Sequence, residues 1–211
     1  MHATLRSVNA GRVRERSLRG RSMRTAIDKQ AVDGPVEVDA EGLVVDEQAD
    51  RRHHGGPEQA LYAYATEDYD HWVEQLGRAL VPGQFGENLT TAGVDVNGAR
   101  IGERWRVGGI VVAVTGPRIP CSTFAGHIDE PAWVRRFTAA LRPGAYLRVV
   151  ETGTVRAGDP ITVVARPDHD VTVADAFRIH VRDRHEVARL VDLPGLVTPL
   201  AQWAREHARG A

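Results

Sequence analysis

The chain has 211 residues, 42% hydrophobic and 26% charged, with a formal net charge of -1, which suits one globular domain or one domain with a small appendage. That charge gives no broad basis for binding a nucleic acid polymer or a membrane surface, and no apolar run approaches the ~20 residues of a membrane helix. One cysteine excludes an internal disulfide, a four-cysteine iron–sulfur cluster and a Cys-rich zinc site, and nothing suggests an oxidising compartment.

The first 24 residues carry Arg6, Arg12, Arg14, Arg16, Arg19, Arg21 and Arg24 against a single Glu15. An arginine-rich, acid-poor start can be a transit peptide, but no helix-period apolar face accompanies it, and Gly11 and Gly20 interrupt it. The expectation is a cytoplasmic chain whose first short strand is Thr4 to Val8, with the arginines on a loop. Arg24, Thr25 and Lys29 put two cations and a hydroxyl in one short stretch, a grip suited to phosphate, although a solvated charged loop accounts for the same residues. Val36 and Val38 alternate with acids and predict a half-buried strand.

Further along come Arg51, Arg52, His53, His54, Gly55, Gly56 and Pro57. The glycine pair lets the backbone pass close to a ligand or a neighbouring strand. Pro57 predicts the first turn of a helix over 57–65, with Leu61 and Tyr64 facing the core. Its N-terminus, with His54 and the glycines before it, offers an anion site; a turn with a structural histidine is the alternative. Thr66 caps a second predicted helix with an apolar stripe of Tyr69, Trp72, Val73 and Leu76. Phe85 to Thr90 form a glycine-flanked loop with a polar Glu87–Asn88 pair. Val94 to Val96 and Ile101 to Val107 read as strands joined by an Asn97–Gly98 turn.

The β-branched run from Ile110 to Thr115 is too short for a lone helix and is stopped by Gly116 and Pro117, so it predicts a strand buried on both faces. Pro117 and Pro120 then stiffen the exit from that strand and hold Cys121 at its end. A lone cysteine is often only a small buried hydrophobe. Arg118, three residues earlier, is a fixed cation that favours a thiolate and makes Cys121 a functional candidate.

A helix from Asp129, Glu130 and Pro131 through Leu141 comes next, then strands over Tyr146 to Glu151, Thr154 to Arg156 and Ile161 to Ala165. Many short strands with a few helices between them predict a mainly β or α+β fold, a closed or nearly closed β-barrel decorated by helices, over residues 1–167. From about Asp168 the chain changes character. Thr172 and Asp175 stand at capping-box spacing before a helix reaching His180, and further helices are predicted over Arg184 to Val191 and from Thr198 to about Ala208. Residues 168–211 thus form a small three-helix domain, which docks on the barrel or pairs with a second copy as a homodimer.

Several segments together resemble the MOSC-domain family, the molybdenum cofactor sulfurase C-terminal type, and most closely its YiiM-like bacterial branch linked to hydroxylaminopurine resistance. They are Thr25 to Lys29, Gly34 to Val36, Asp46 to Asp50, His54 to Gly56, Phe85 to Leu89 and Pro117 to Cys121, in the family's order, with the tail from Val171 resembling its three-helix C-terminal domain. Where the family usually has glycine before Asp46, this chain has Val45. The resemblance implies a barrel holding a molybdenum–pterin cofactor (molybdopterin), with Cys121 as metal ligand and Arg118 keeping its sulfur ionised. It makes Arg24, Thr25 and Lys29 the holders of the cofactor phosphate, with His54, Gly55, Gly56 and Asn88 along the pterin. It further implies reduction of small N-hydroxylated substrates, such as purine bases and amidoxime-like compounds, with electrons from a separate flavin or iron–sulfur donor protein. Pyridoxal phosphate is not expected. A cofactor carrier or sulfur-transfer module without turnover of its own is the alternative, and it would use the same binding residues.

Overall fold

A computed structural model describes residues 2–49 and 55–209. The run that predicts a doubly buried strand, Ile110–Pro117, is buried at every position and is the third strand of an eight-stranded sheet. In chain order the strands are β1 Thr4–Ala10, β2 Arg14–Leu18, β3 Arg21–Thr25, β4 Gln30–Ala31, β5 Val36–Asp39, β6 Gly42–Leu43, β7 Leu61–Ala65, β8 Leu89–Ala92, β9 Arg104–Val107, β10 Ile110–Pro117, β11 Ala145–Glu151, β12 Gly153–Val155 and β13 Ile161–Ala165. The helices are α1 Thr66–Leu76, α2 Ser122–Ile128, α3 Trp133–Ala140, α4 Val173–Val181 and α5 Thr198–Ala208. Short 3-10 segments cover Pro57–Gln59 and Arg184–Leu190.

The large sheet runs β13, β9, β10, β11, β7, β8, β1, β4. Its ladders are antiparallel except for β7 on β8. β12, β5 and β6 make a three-stranded sheet, and β2 with β3 a two-stranded ribbon.

This corrects the expected barrel: among the described residues no sheet closes on itself, and the fold is mixed, with several sheets and helices. The β1 and β13 segments touch at one isolated bridge, Thr4 with Pro160, and through the few backbone hydrogen bonds beside it. From that bridge β13 runs on past the N-terminal end of β1, so the antiparallel register leaves it no further partner there. On the other side the backbone turns at Gly158, at a φ of 94°, and the residues before it join β5 through β12.

Side chains alternate across a strand, and the sheet uses this to separate two cores. On β7, Leu61, Ala63 and Ala65 enter an aliphatic core shared with Val112 and Val114 of β10. Tyr62 and Tyr64 enter an aromatic core with Trp72 of α1, Phe124 of α2, and Trp133 and Phe137 of α3. The tail's Val173, Ile179, Leu190 and Leu200 belong to the aliphatic core. Val197 N donates to Thr115 O at 2.8 Å, and a Cβ on Gly116 would stand 3.0 Å from Val197 Cγ1. The tail therefore packs directly on the end of β10. Its capping box is formed, with Asp175 N donating to Thr172 Oγ1 at 3.0 Å and Thr172 N to Asp175 Oδ2 at 3.2 Å.

The fold departs from the local sequence pattern at several places; among them, Thr66 lies inside α1 and Ala65 is its N-cap, without a side-chain bond, and α2 is a helix the sequence pattern does not predict. The helix predicted over 57–65 is one 3-10 turn followed by β7, because all five residues Leu61–Ala65 are buried between β11 and β8. No strand forms at Val94 to Val96; Asn97 instead spends its side chain on Asp68, to which it donates at 2.6 Å, and on Gly144 N, from which it accepts at 3.1 Å. The arginine-rich loop is the β2–β3 ribbon. Val45 sits in a turn without left-handed backbone, so no glycine is needed before Asp46.

Candidate functional site

β10 ends at Pro117, and Cys121 is the N-cap of α2, its Sγ accepting from Phe124 N at 3.5 Å. Between them Arg118 is 7% exposed. Nη1 donates to Phe85 O at 2.9 Å. The guanidinium carbon lies 4.2 Å from the Phe124 ring centre and 5.0 Å from that of Tyr62, within cation–π range of both. Among the described residues its Nε is buried with no acceptor, which is uncommon for a buried donor and calls for an explanation.

Arg118 and Cys121 form one wall of a cavity of about 530 Å³. Other walls carry Arg24 and Thr25 of β3, Lys29, Gly55 and Asn88. The fold thus gathers onto one cavity seven of the nine site residues expected from sequence. Gly56 is not among its lining residues, and His54 lies outside the described residues.

Two of the seven are committed to the protein. Lys29, 8% exposed, donates to Asp46 Oδ2 and Oδ1 at 2.5 and 2.7 Å. Asp46 also accepts from Gly11 N at 2.7 Å and Asn88 Nδ2 at 2.9 Å. Asn88 Oδ1 accepts from Tyr62 N at 3.2 Å, which ties the Phe85–Asn88 loop to β7. Burial pulls the Lys29 ammonium below its ordinary pKa, and the Asp46 carboxylate opposes this only in part. Arg24, by contrast, is exposed, and Gly55 N makes only a 3.3 Å bond to Gln59 Oε1.

Sequence reasoning does not single out Asp46, Tyr62 or Tyr146, all of which line the cavity. Asp46 stands within a segment that carries the family resemblance, so its position is a signal. The tyrosines are reached only through strand alternation on β7 and β11. Burial raises both phenols above their ordinary pKa, with the nearby Arg118 charge acting the other way. Among the described residues no group of three or more His, Cys, Asp or Glu could hold a metal ion. No described helix is long and apolar enough to cross a membrane.

Comparison with known proteins identifies the family. The MOSC domain model matches residues 50–162. YflK of Bacillus subtilis is 34% identical over 177 residues, covering 84% of this chain and 80% of that protein. A protein of Gibberella moniliformis called simply "Reductase" is 33% identical over 220 residues, covering 98% of this chain but only 38% of its own length. The crystal structure of YiiM from Geobacillus stearothermophilus superposes with a TM-score of 0.81 at 26% identity, covering 97% of this chain and 98% of that one. With the domain model matching more than half of its length, the chain belongs to the MOSC-domain family, a molybdenum-cofactor-binding family of oxidoreductase type.

Proposed function

We propose that this protein reduces small N-hydroxylated compounds, purine bases and amidoxime-like molecules among them, using a molybdenum–pterin cofactor held in the 530 Å³ cavity. The observation that carries this reading is the placement of the one cysteine. It stands at a proline-stiffened strand exit, beside a buried arginine, on the wall of a cavity that Arg24 and Thr25 also line.

The residues present fit such a group. The volume is within the ~300–1,000 Å³ of small-molecule sites. A thiolate is a soft donor suited to molybdenum, and Cys121 is the chain's one thiol. Arg118 Nε is a buried donor whose acceptor the cofactor would supply. Arg24 and Thr25 would hold the cofactor phosphate, and the backbone N–H of Gly55 a polar pterin edge. Lys29, already matched by Asp46, would add less charge than its type implies.

When bound, the cofactor supplies the two-electron, oxygen-accepting chemistry. Overall, R–NHOH takes two electrons and two protons, the N–O bond breaks, and R–NH2 and water leave. The chain's part is to orient and to hold protons. Tyr146 lines the cavity as a neutral phenol, its pKa raised further by burial, so its Oη can donate a hydrogen bond to a substrate heteroatom there. The aromatic core behind Tyr62 excludes water from that side.

The test is molybdenum and pterin analysis of protein from a molybdenum-replete host, with turnover of an N-hydroxylated purine driven by reduced viologen. Cys121→Ala is expected to abolish turnover while keeping the fold, and full turnover in that variant would refute the reading. Bound cofactor with no turnover of any N-hydroxylated substrate would instead favour a carrier.

A further inference from the structure

The β2–β3 ribbon is the feature of the molecule that the cavity does not explain. Residues 12–24 hold six arginines and one glutamate, a formal +5 in a chain of net -1. Three of the arginines are tied down: Arg12 to Glu47 at 3.0 Å, Arg16 to Asp28 at 3.2 Å, and Arg19 to the Glu130 carbonyl at 2.7 Å. Arg14, Arg21 and Arg24 are exposed and make no ion pair among the described residues. The register sets Glu15 opposite Arg24 and no arginine opposite another, so the ribbon carries its charge without direct cross-strand repulsion and leaves Arg14 and Arg21 as exposed positive charge for an anionic surface to meet.

The ribbon is held in a fixed place. Its tip packs on α2, the helix that Cys121 caps: a Cβ on Gly126 would stand 2.9 Å from Leu18 Cβ, so glycine is what admits the contact. Its other end runs into the cavity wall at Met23, Arg24 and Thr25. A body seated on the ribbon therefore lies at the cavity mouth.

We infer that the β2–β3 ribbon is the docking surface for the acidic face of a small flavin electron-donor protein. This rests on the reductase reading, in which two electrons must reach the cavity in each cycle. With one cysteine and no G-x-G-x-x-G run, the chain has neither a four-cysteine cluster nor that fingerprint for a flavin or nicotinamide of its own. Redox encounters use small, transient interfaces, and complementary charge gives them their rate and orientation. A reduced flavin docked here passes its two electrons to the loaded cavity and is left oxidised. The protons taken up at nitrogen and oxygen come from solvent. Within the longer Gibberella relative called "Reductase", a MOSC-like part shares one chain with other sequence, which is compatible with such a pairing.

The experiment uses the full chain and a flavodoxin, a small acidic FMN protein, as the probe. Binding is followed by flavin fluorescence anisotropy at low and at physiological salt. Saturable binding is expected at low salt, weakening as salt rises. Arg14→Glu with Arg21→Glu, residues away from the cavity wall, is expected to raise Kd at least tenfold at unchanged Tm. In loaded protein the same pair of substitutions should lower flavodoxin-driven kcat/KM about as much and leave viologen-driven turnover unchanged. No saturable flavodoxin binding, or binding indifferent to the reversal, overturns the docking surface. Tighter binding of a single-stranded oligonucleotide, lost in the same variant, overturns it in favour of nucleic acid. Absence of viologen-driven turnover in the loaded wild type is a different result: it refutes the reductase reading, and the anisotropy measurement still decides the surface.

Discussion

Replacing Asp46 by asparagine would test the polar cluster on the cavity wall. The carboxylate side chain is 7% exposed and its Lys29 partner 9%. The substitution keeps one oxygen for Gly11 N and removes the charge facing Lys29 Nζ. Breaking a buried pair from one side typically costs about 3–5 kcal/mol, since the remaining charge is left uncompensated. Lys29 has an escape, which is to lose its proton. From the ordinary value of 10.5, that costs about 5 kcal/mol at pH 7 and about 2 kcal/mol at pH 9, at ~1.36 kcal/mol per unit. The destabilisation is thus bounded at pH 7 and shrinks as pH rises. Its sign comes from linkage: Lys29's folded pKa lies below its unfolded one, so between the two the unfolded chain binds more protons, and stability rises with pH up to about 10.5. Removing Asp46 takes away the main influence that raises the folded value, and so extends that window downward.

Thermal melts followed by circular dichroism, with urea titrations at pH 7 and pH 9, would read this. At ~2–4 °C per kcal/mol for a chain of this size, the expected loss at pH 7 is roughly 6–20 °C, with about a third to three-fifths of it recovered at pH 9. Lys29→Met in the Asp46→Asn background should restore much of the stability, because no lone charge is left. A loss below about 1 kcal/mol at pH 7, or one that does not diminish at pH 9, would show that the pair is not buried and coupled as described. Removing Lys29 itself has a double consequence for the same reason. Its loss leaves Asp46 facing inward alone, so the apoprotein should lose stability as well as any hold on a phosphate.

Two further perturbations probe other elements. Thr172→Ala removes the side chain that accepts from Asp175 N and should cost about 1 kcal/mol, a Tm lower by ~2–4 °C; an unchanged melt would mean the capping box contributes nothing. Glu87 is fully buried and accepts from Gly83 N, Tyr69 Oη and Thr90 Oγ1 at 2.6, 2.7 and 2.7 Å, yet burial still raises its pKa above the ordinary 4.5. Its contribution is therefore present below pH 4.5 and lost as pH rises through the folded value. Glu87→Gln should flatten that segment of the stability–pH curve, and a slope equal to wild type would count against it.

Local chemistry by itself determined a good part of this molecule. A largely β-branched run stopped by glycine and proline had to be a covered strand, and Ile110–Pro117 is one. Alternating valines and acids gave β5, with Val36 and Val38 inward, and Thr172 with Asp175 gave the start of α4. The prolines around Arg118 and the segments of Asp46 and Asn88 pointed to residues that do share a cavity. What sequence could not decide was whatever depends on a neighbour far along the chain. Leu61–Ala65 suits a helix or a strand, and β8 and β11 on either side chose the strand. Lys29 reads as a free cation until folding brings Asp46, 17 residues away, into the same dry space. Short strands in number suggest a barrel, but closure requires registers that meet over several residues. Here they meet in one bridge, at Thr4 and Pro160, before the backbone turns away. Registers and burial are properties of the whole packed chain, and no single stretch encodes them.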